Sequence, residues 1–441
     1  MNILVYANSP TAPTGFGTVI RNVFRGITER GRVPVTELNF FGVNYHGEPH
    51  EEPFKIWPAQ TFNMHNDNDP FGRARFVSLV LSNRWPIDVL FCLEDHFTLA
   101  WPIPFPDGRI EPFLPGLLRR MREQLKEGRP PFRVIQYIPV DCDTLLPEWV
   151  SWIPDLVDYP VAYCHYGRRT LLDLVPRLSS NLSVIYHGTN PETFFPIAEE
   201  ERQRYRREVF RCEPEQLLVL NVNRNQPRKD MARSVQVFAE ALREVPNAKL
   251  YLHCNVQDGA GINLDRVRLN MRVPEGAVLF PANFNEGNGI PWPALNMVYN
   301  AADVFLTTSR GEGWGLPITE SMLAGRACIA LDHTSHTEIL AEGRGVLVPP
   351  SLVRECMVLD NNQMRPVADV RATAAALTAL LRDSVWRAQV GTRAREWAAR
   401  LSWRDVIVPQ WEQVFLDAHR SLQVKAPAVS AGFALNAGAS V

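Results

Sequence analysis

Residues 309–325 hold the side chains and glycines best suited to chemistry, in the order Ser-Arg-Gly-Glu-Gly-Trp-Gly-Leu-Pro-Ile-Thr-Glu-Ser-Met-Leu-Ala-Gly. They follow an apolar run at 304–307 that predicts a strand. Glycine lets the backbone approach a ligand closely and adopt positive φ, and Gly311, Gly313 and Gly315 all precede a predicted helix. We therefore expect a strand, a tight turn and a helix whose exposed N-terminal amides bind an anion.

Two glutamates flank this predicted anion site. Glu312 lies in the turn, and Glu320 lies eight positions later, one turn into the helix. Two carboxylates repel a bare phosphate, but each accepts hydrogen bonds from sugar hydroxyls on either side of one. A nucleotide-sugar has that order, with a hexose, a diphosphate and a ribose. The alternative is a helix N-terminus whose dipole favours acidic residues, which accounts for one glutamate better than for the whole pattern.

The segment resembles the E-x7-E signature of glycosyltransferase family four, a large group of retaining enzymes with the GT-B fold. Residues 221–229, Asn-Val-Asn-Arg-Asn-Gln-Pro-Arg-Lys, resemble its G-R-L-x-x-x-K segment, which implies that Arg224 and Lys229 bind the donor diphosphate. Residues 184–196 resemble its interdomain linker. The resemblance covers the C-terminal half well and the N-terminal half thinly. Shorter matches lie, in family order, at 301–305, 338–340, 342–349 and 402–404.

The resemblance implies an α/β protein with the GT-B fold. In that fold two Rossmann-like domains face each other across a donor-binding cleft, and a C-terminal helix crosses back to the first domain. The implied activity is that of a retaining, metal-independent hexosyltransferase. Such an enzyme moves a sugar from a nucleotide-diphosphate donor, UDP- or GDP-linked, to a hydroxyl acceptor.

Roles for individual residues follow from the same resemblance. Glu312 is expected to fix the transferred sugar through its hydroxyls, and Glu320 to hold the ribose. Breaking the bond between sugar and diphosphate puts negative charge on the leaving phosphate, where preorganised donors and cations are usually the largest electrostatic contribution to catalysis. Front-face attack needs no enzymic nucleophile, since the departing phosphate oxygen takes the acceptor's proton. The expected phosphate contacts come from Arg224, Lys229 and the backbone at Gly313, Gly315 and Leu316.

The N-terminal half carries a variant donor loop and one candidate histidine. Residues 13–21 contain Gly15-Phe-Gly17 where the family has a Gly-Gly pair, and their backbone amides are expected to meet the diphosphate. His96 corresponds to the family's active-site histidine; the alternative is a loop histidine that caps a turn. At 334–337, Thr-Ser-His-Thr replaces the family's Gly-Gly-x-Pro. These bulkier side chains are expected to narrow the donor pocket or change which sugar fits.

Short, nearly continuous apolar runs alternate with helical periods along the chain. Such runs are typical of parallel strands covered on both faces, and the clearest helical period runs from Met231 to Leu242. The alternation predicts α/β layers joined by right-handed crossovers. The predicted strands are 2–6, 88–92, 134–138, 161–163, 183–186, 217–222, 249–253, 278–280, 304–307, 327–330 and 346–348.

The length of 441 residues predicts two domains. Asn190-Pro191 and Pro196 break the chain near its middle. Residues 44–72 and 101–115 are rich in proline and aromatic residues, and we expect them to form long loops that contact the acceptor. The predicted units are an acceptor-binding domain at 1–189, a nucleotide-sugar-binding domain at 190–402, a returning helix at 403–424 and a disordered tail at 425–441.

The composition and charge of the chain indicate which binding partners and which cellular compartment to expect. The formal net charge of −2 gives no overall attraction to nucleic acid or to an anionic membrane. The seven scattered cysteines include no CxxC, which favours reduced thiols in a cytosolic protein. The N-terminus lacks the pattern of a secretory signal, and no apolar stretch approaches the ~20 residues of a membrane span. The sequence therefore predicts a soluble cytoplasmic protein.

No metal and no cofactor are predicted. His333 and His336 lack a third ligand at matching spacing. Asp141-Cys-Asp143 resembles the D-x-D of metal-dependent sugar transferases, but the implied fold does not require a metal. A dehydrogenase needs a dinucleotide fingerprint, which the first βα turn of neither domain supplies. A non-catalytic nucleotide-sugar-binding relative is the other alternative, although we expect such a protein to lose some donor-site side chains.

The acceptor is left open. Saccharides, lipid-linked precursors, protein side chains and modified nucleobases, including those of DNA, all offer a hydroxyl. A basic amphipathic helix at 116–128 would allow peripheral membrane contact, although an ordinary surface helix explains the pattern better. A nucleic-acid acceptor needs a cationic groove, which the overall charge does not indicate.

Overall fold

The computed structural model describes residues 1–46, 54–60, 69–259, 261–282, 284, 289–357 and 362–423. Within them, two parallel β-sheets flanked by helices follow one another along the chain. The predicted tail at 425–441 and parts of the predicted loop at 44–72 lie outside the described residues.

The first domain is built on a seven-stranded sheet. Its strands, with one separate hairpin, are β1 (Asn2–Asn8), β2 (Glu37–His46), β3 (Lys55–Gln60), β4 (Val89–Leu93), β5 (Pro102–Pro104), β6 (Ile110–Pro112), β7 (Arg133–Ile138), β8 (Tyr159–Ala162) and β9 (Ser183–Val184). Its helices are α1 (Gly15–Arg30), α2 (Arg73–Leu81), α3 (His96–Ala100), α4 (Phe113–Gln124), α5 (Ile153–Leu156) and α6 (His165–Leu174). The parallel sheet has the order β3-β2-β1-β4-β7-β8-β9, and β5 pairs with β6 in the hairpin.

The second domain repeats this plan with a six-stranded sheet. Its strands are β10 (Leu217–Val222), β11 (Ala248–His253), β12 (Val278–Leu279), β13 (Val304–Leu306), β14 (Ala327–Leu331), β15 (Val346–Val348), β16 (Pro350–Met357) and β17 (Gln363–Ala368). The helices that follow the first domain are α7 (Glu199–Phe210), α8 (Met231–Leu242), α9 (Leu264–Asn270), α10 (Trp292–Ala301), α11 (Leu316–Leu323), α12 (His336–Ile339), α13 (Val370–Arg382), α14 (Ser384–Ala398) and α15 (Val408–Gln423). The parallel sheet has the order β12-β11-β10-β13-β14-β15, and β16 and β17 form an antiparallel hairpin.

The strand order reverses once in each sheet, between β1 and β4 and between β10 and β13. Ligands bind in the crevices that such reversals open at the carboxyl ends of parallel strands. The two crevices face each other, because Gly15 follows β1 and lies against Leu316, which follows β13. A Cβ added to Gly15 would stand 3.9 Å from Leu316 Cδ1. The two switch points therefore face each other, and the region between them is called the cleft.

The chain crosses between the domains twice at one place. The backbone amide of Thr189 donates to the carbonyl of Leu401 at 2.8 Å, and that of Trp403 donates to the carbonyl of Thr189 at 2.9 Å. After this crossing, α15 returns to α1, where the rings of Phe415 and Phe24 lie 5.7 Å apart. The α/β fold with two Rossmann-like domains and a returning helix is thus the predicted one. The crossing lies at Thr189 and at residues 401–403, next to the predicted domain boundaries at 189/190 and 402/403.

Every strand predicted from the apolar runs is present, but two predicted loops are wrong in the described residues. Within 44–72 the chain forms the end of β2 and all of β3, and within 101–115 it forms β5, β6 and the start of α4. Prolines concealed these elements. Pro58 lies in β3, an edge strand, where a missing N–H costs no hydrogen bond of the ladder. The strand β2 and the hairpin β16–β17 were not predicted either.

Candidate functional site

The predicted strand, glycine-rich turn and helix are present at the cleft. The turn follows β13 and leads into α11, whose N-cap residue Gly315 has φ 111°. Gly311 has φ 156°. Side chains are strained in this part of φ space, so glycine is required at the N-cap. The first amides of α11 therefore point from the second domain toward the cleft.

Glu312 is the centre of a buried ion-pair cluster in this turn. Its carboxylate pairs with the ammonium of Lys229 and lies 3.0 Å from Nη1 of Arg228. Ser309 Oγ donates to it at 2.7 Å. Only 8% of Glu312 is exposed. Burial by itself would raise the pKa of Glu312, but the charges of Lys229 and Arg228 hold that pKa far below its ordinary value. The carboxylate is thus ionised throughout the physiological range.

Lys229 and Arg228 occupy one short 3-10 turn, Pro227–Lys229, after β10. Burial lowers the pKa of Lys229, and the charge of Glu312 opposes that shift. Sequence reasoning selected Lys229 but not Arg228, although both stand in the matched segment. The sequence signal that could have identified Arg228 is the pair of adjacent basic residues after Pro227, because a tight turn can direct both side chains toward the same point.

Arg224, the other predicted diphosphate cation, is placed elsewhere. Its Nε lies 2.7 Å from Oδ2 of Asp258, and 53% of its side chain is exposed. Asp258 follows β11, so this pair stands beside the cleft and not at Glu312. Arg228, and not Arg224, lies beside Glu312.

Glu320 has a different electrostatic environment from Glu312. It lies on α11 and accepts a hydrogen bond of 2.7 Å from the hydroxyl of Tyr299. Burial raises the pKa of Glu320 to about 7, with the Tyr299 hydrogen bond opposing the shift. One glutamate of the pair is therefore held as a carboxylate by cations, while the other is close to half protonated at neutral pH.

The first domain brings two unpaired polar side chains to the cleft. His96 begins α3 and is 5% exposed, and neither of its ring nitrogens has a hydrogen-bond partner among the described residues. Burial lowers the pKa of His96 to about 4, so its ring is neutral. The buried hydroxyl of Tyr163 also has no partner within the described ranges. Its ring touches the donor turn, since a Cβ added to Gly313 would lie 3.2 Å from Tyr163 Cδ2.

Gly15 and Gly17 lie in the first turn of α1, where a loop was predicted. The amide of Gly17 donates to Oγ1 of Thr14 at 3.0 Å, which makes it part of the helix cap. A Cβ added to Gly17 would stand 2.5 Å from the carbonyl oxygen of Ala12. Gly17 is therefore required by close backbone packing, whereas Gly15 faces α11 across the cleft.

Sequence reasoning missed a buried carboxyl at the switch point of the first sheet. Glu94 follows β4 and accepts a hydrogen bond of 2.5 Å from Nδ2 of Asn8, which ends β1. Burial raises the pKa of Glu94 to about 8, so the group is mostly protonated at neutral pH. Its position directly after a buried parallel strand was the signal that could have identified it.

Thr334 and Ser335, at the departure from the family pattern, hold the Glu312 turn. The amide of Glu312 donates to Oγ1 of Thr334 at 3.0 Å. Ser335 Oγ donates to the carbonyl of Glu312 at 3.0 Å and to that of Trp314 at 2.5 Å. These bulkier side chains therefore fix the backbone of the donor turn through hydrogen bonds.

Asp141, Asp143 and His336, three of the residues weighed as metal ligands, have other partners. Asp141 Oδ2 lies 3.3 Å from Arg228 Nε, and Asp143 accepts a hydrogen bond of 2.8 Å from Arg354. Nδ1 of His336 lies 3.1 Å from the carbonyl of Leu331. Among the described residues, no group of three or more His, Cys, Asp or Glu side chains is arranged to hold a metal ion.

The basic helix predicted at 116–128 is α4 with a short extension. Its apolar face is buried in the first domain, and Arg120 pairs with Asp107 at 2.7 Å and with Glu111 at 3.1 Å. This is the ordinary surface helix that the sequence favoured. None of the helices in the described part of the chain combines the length and apolarity of a membrane span. All seven cysteines are free, six of them buried and Cys356 exposed.

Residues 218–383 match the protein family described as "Glycosyl transferases group 1". A sulfoquinovosyl transferase of Arabidopsis thaliana is 25% identical over 222 residues, which are 49% of this chain. The chain spans only 36% of the length of that relative.

Solved structures share the overall fold at low identity. Anabaena HepE, determined with UDP and glucose, has a TM-score of 0.65 at 15% identity and covers 96% of this chain and 100% of its own. Sucrose-phosphate synthase of Thermosynechococcus elongatus has a TM-score of 0.65 at 16% identity, with the same coverage. A glycosyltransferase of Rickettsia africae has a TM-score of 0.66 at 12% identity and covers 95% of this chain and 98% of its own.

Proposed function

Since this chain carries a group 1 glycosyltransferase domain on a GT-B fold, we propose that it transfers a sugar from a nucleoside-diphosphate donor to a hydroxyl acceptor. The transfer retains the anomeric configuration and needs no metal ion. The donor lies between the start of α11 and the switch point of the first sheet. UDP is the nucleotide we favour, because HepE, which has the same fold, was determined with UDP and glucose.

The observation that carries the proposal is the cluster of Lys229, Arg228 and Glu312 beside the first amides of α11. Both cations pair with the carboxylate of Glu312. A diphosphate that enters here meets a helix N-terminus and two positive side chains. Arg228 provides a forked contact with phosphate oxygens, and Lys229 provides a compact charge. Together they stabilise the negative charge that develops on the leaving phosphate.

Glu312 then changes partners. Once phosphate oxygens share the two cations, its carboxylate accepts hydrogen bonds from the hydroxyls of the transferred sugar. Glu320, further along α11, binds the ribose in this proposal, and its pKa of about 7 lets it accept or donate a hydrogen bond. Arg224, which the family resemblance also assigns to the diphosphate, contacts Asp258 through Nε and Nη2.

The acceptor approaches from the first domain. Neutral His96 and the hydroxyl of Tyr163 are buried polar groups without partners among the described residues, so both are available for hydroxyl groups of the donor sugar or the acceptor. The departing phosphate oxygen takes the proton of the attacking hydroxyl. This front-face path explains retention without an enzymic nucleophile.

A nucleotide panel tests the proposal. The thermal midpoint is measured with UDP, GDP, ADP, dTDP and NAD, for the wild type, Lys229→Ala and the exposed control Lys126→Ala. A diphosphate at a hundred times its dissociation constant stabilises by about 2.7 kcal/mol, which raises the midpoint by roughly 5–10 °C. We expect this rise with one nucleoside diphosphate in the wild type and the control, and its loss in Lys229→Ala. No rise with any diphosphate, or a rise with NAD alone, would contradict the proposal.

Stereochemistry has its own test. Proton NMR of the sugar released by slow hydrolysis of the donor reports the anomer formed first. Retention predicts the anomer of the donor, and the opposite anomer would show inversion.

A further inference from the structure

The hairpin β16–β17 reaches from the second domain to the first-domain segment 141–144. Arg365 on β17 is 1% exposed, and its Nη2 lies 3.0 Å from Oδ1 of Asp141. The same guanidinium donates to the backbone carbonyl of Asp141. Nearby, Thr144 Oγ1 donates to Oε1 of Gln363 at 2.5 Å. The hairpin is therefore fastened to the first domain by a buried, forked arginine contact.

Asp141 connects this contact to the donor turn. Its second carboxylate oxygen lies 3.3 Å from Nε of Arg228. Nη1 of Arg228 lies 3.0 Å from Glu312 Oε2 and donates to the carbonyl of Gly311 at 2.7 Å. An unbroken chain of charges thus runs from Arg365 through Asp141 and Arg228 to Glu312. It joins the two domains at the residues that we propose bind the donor phosphate.

The atoms around this chain of ion pairs are closely packed. A Cβ added to Gly311 would lie 2.1 Å from the carbonyl oxygen of Asp141 and 3.1 Å from Nη1 of Arg365. The first-domain backbone therefore touches the donor turn directly. Burial alone would raise the pKa of Asp141, but Arg365 and Arg228 hold that pKa below its ordinary value. The carboxylate stays ionised and keeps both arginines.

The charges of this group favour a diphosphate. Among the described residues, three cations, Arg365, Arg228 and Lys229, pair with two carboxylates, Asp141 and Glu312. A donor phosphate that draws Arg228 from Glu312 leaves its contact with Asp141 intact. Arg228 then keeps its orientation while the phosphate replaces Glu312 as its partner. Because this orientation is fixed before the donor binds, less conformational entropy of the side chain is lost on binding.

We propose that Arg365 is a positioning residue for sugar transfer: it holds Asp141, which in turn fixes the guanidinium of Arg228 toward the donor diphosphate. The inference rests on the proposed function and extends it to a hairpin that the donor does not touch. Without Arg365, Asp141 keeps one cationic partner in place of two, and the forked contact that fixes its position is lost. Arg228 then loses its fixed orientation.

Titration calorimetry with the nucleoside diphosphate that the panel identifies tests this chain of contacts. Arg365→Gln and Asp141→Asn are each expected to weaken binding by about tenfold. The double variant is expected to bind no more weakly than the worse single variant, because both changes act through Arg228. Arg365→Lys keeps the charge but not the fork, so we expect an intermediate affinity. Donor hydrolysis should show the same order, with a higher KM for the donor in each weakened variant.

Arg354→Gln is the matched control. Arg354 lies on β16 of the same hairpin and also pairs with a first-domain aspartate, Asp143. Both side chains are over a third exposed. Within the described part of the chain, neither forms an ion pair with Glu312 or Lys229. Its affinity is expected to stay within about twofold of the wild type, as for an exposed pair.

The outcomes separate the two proposals. Arg365→Gln with wild-type affinity, or effects that multiply in the double variant, would overturn the positioning role alone. A wild type that binds no nucleoside diphosphate would overturn the proposed function and this inference with it. If Arg365→Gln does not fold, the affinity of Asp141→Asn for the nucleoside diphosphate tests the positioning role instead. This variant alters the same ion pair and leaves the hairpin sequence unchanged.

Discussion

The carboxylate of Glu338 accepts a hydrogen bond of 2.8 Å from the hydroxyl of Tyr186. Glu338 belongs to the second domain, and Tyr186 lies in the linker between the domains. The other contacts of this carboxylate are the backbone amides of His165, at 3.1 Å, and of Tyr166. These amides begin α6 of the first domain, so Glu338 caps a helix in the opposite domain. One side chain thus links both domains and the segment between them.

Glu338→Ala is expected to lower the stability of the protein. It removes hydrogen bonds to a charged group, which contribute about 1.5–3 kcal/mol, and leaves the amides of His165 and Tyr166 at the start of α6 without their acceptor. The thermal midpoint should fall by several degrees, at about 2–4 °C per kcal/mol. Glu29→Ala is the control, since the side chains of Glu29 and its partner Arg25 are 67% and 63% exposed. Equal shifts in the two variants would contradict the capping role.

Glu312→Gln is expected to reduce transfer by about 10²–10³-fold, the usual effect of removing one preorganised electrostatic contact. The amide keeps the size and one acceptor of the glutamate but not its charge, so we expect Glu312→Gln to lose part of the stability that Glu312→Ala loses. Glu312→Ala should in addition cost about 3–5 kcal/mol of stability, because it leaves the charges of Lys229 and Arg228 buried without their carboxylate. Turnover of the donor and the thermal midpoint are measured together. Turnover of Glu312→Gln at the wild-type rate would remove Glu312 from the site.

Glu94→Gln is expected to change how stability depends on pH. In the unfolded chain this carboxyl ionises near its ordinary value of 4.5, but in the folded protein its pKa is about 8 because it is buried. Between these values unfolding releases a proton, so the wild type loses stability as pH rises. Relative to the neutral variant, the free energy of unfolding should fall by up to about 1.4 kcal/mol per pH unit. Buried histidines contribute equally to both proteins and cancel in the difference. Thermal midpoints at pH 5, 6.5 and 8 give that difference, and parallel curves would show that Glu94 titrates normally.

Gly17→Ala and Gly15→Ala are expected to differ although both lie in the first turn of α1. The new methyl at Gly17 would stand 2.5 Å and 2.7 Å from the carbonyl oxygens of Ala12 and Ser9. These backbone atoms cannot move away easily, so we expect a loss of about 1–3 kcal/mol. At Gly15 the nearest atom would be Leu316 Cδ1, at 3.9 Å, and stability should be unchanged. Urea unfolding of both variants checks this, and a stable Gly17→Ala would contradict the packing argument.

The elements of the fold and the donor turn were accessible from sequence because their signals are local. A buried parallel strand must be apolar at almost every position, which is true of β4 and β14. Gly315 marks the helix start because few other residues adopt its φ. The edge strands β9, β12 and β15 were predicted, but the edge strand β3 was not, because it contains Pro58, which only an edge strand tolerates. The interior strand β2 was also missed.

The sequence by itself determined the two α/β domains, the strand–turn–helix at residues 304–323 and the presence of acidic and basic residues suited to a nucleotide-sugar. Only the tertiary structure decided which of them meet. It placed Arg228 beside Glu312 and Arg224 beside Asp258, and it carried Arg365 from a hairpin to Asp141 of the other domain. Local sequence fixes backbone conformation through sterics and burial. Pairing of charges far apart in the chain depends on how the two domains pack, because ion pairs form wherever packing brings opposite charges together out of water.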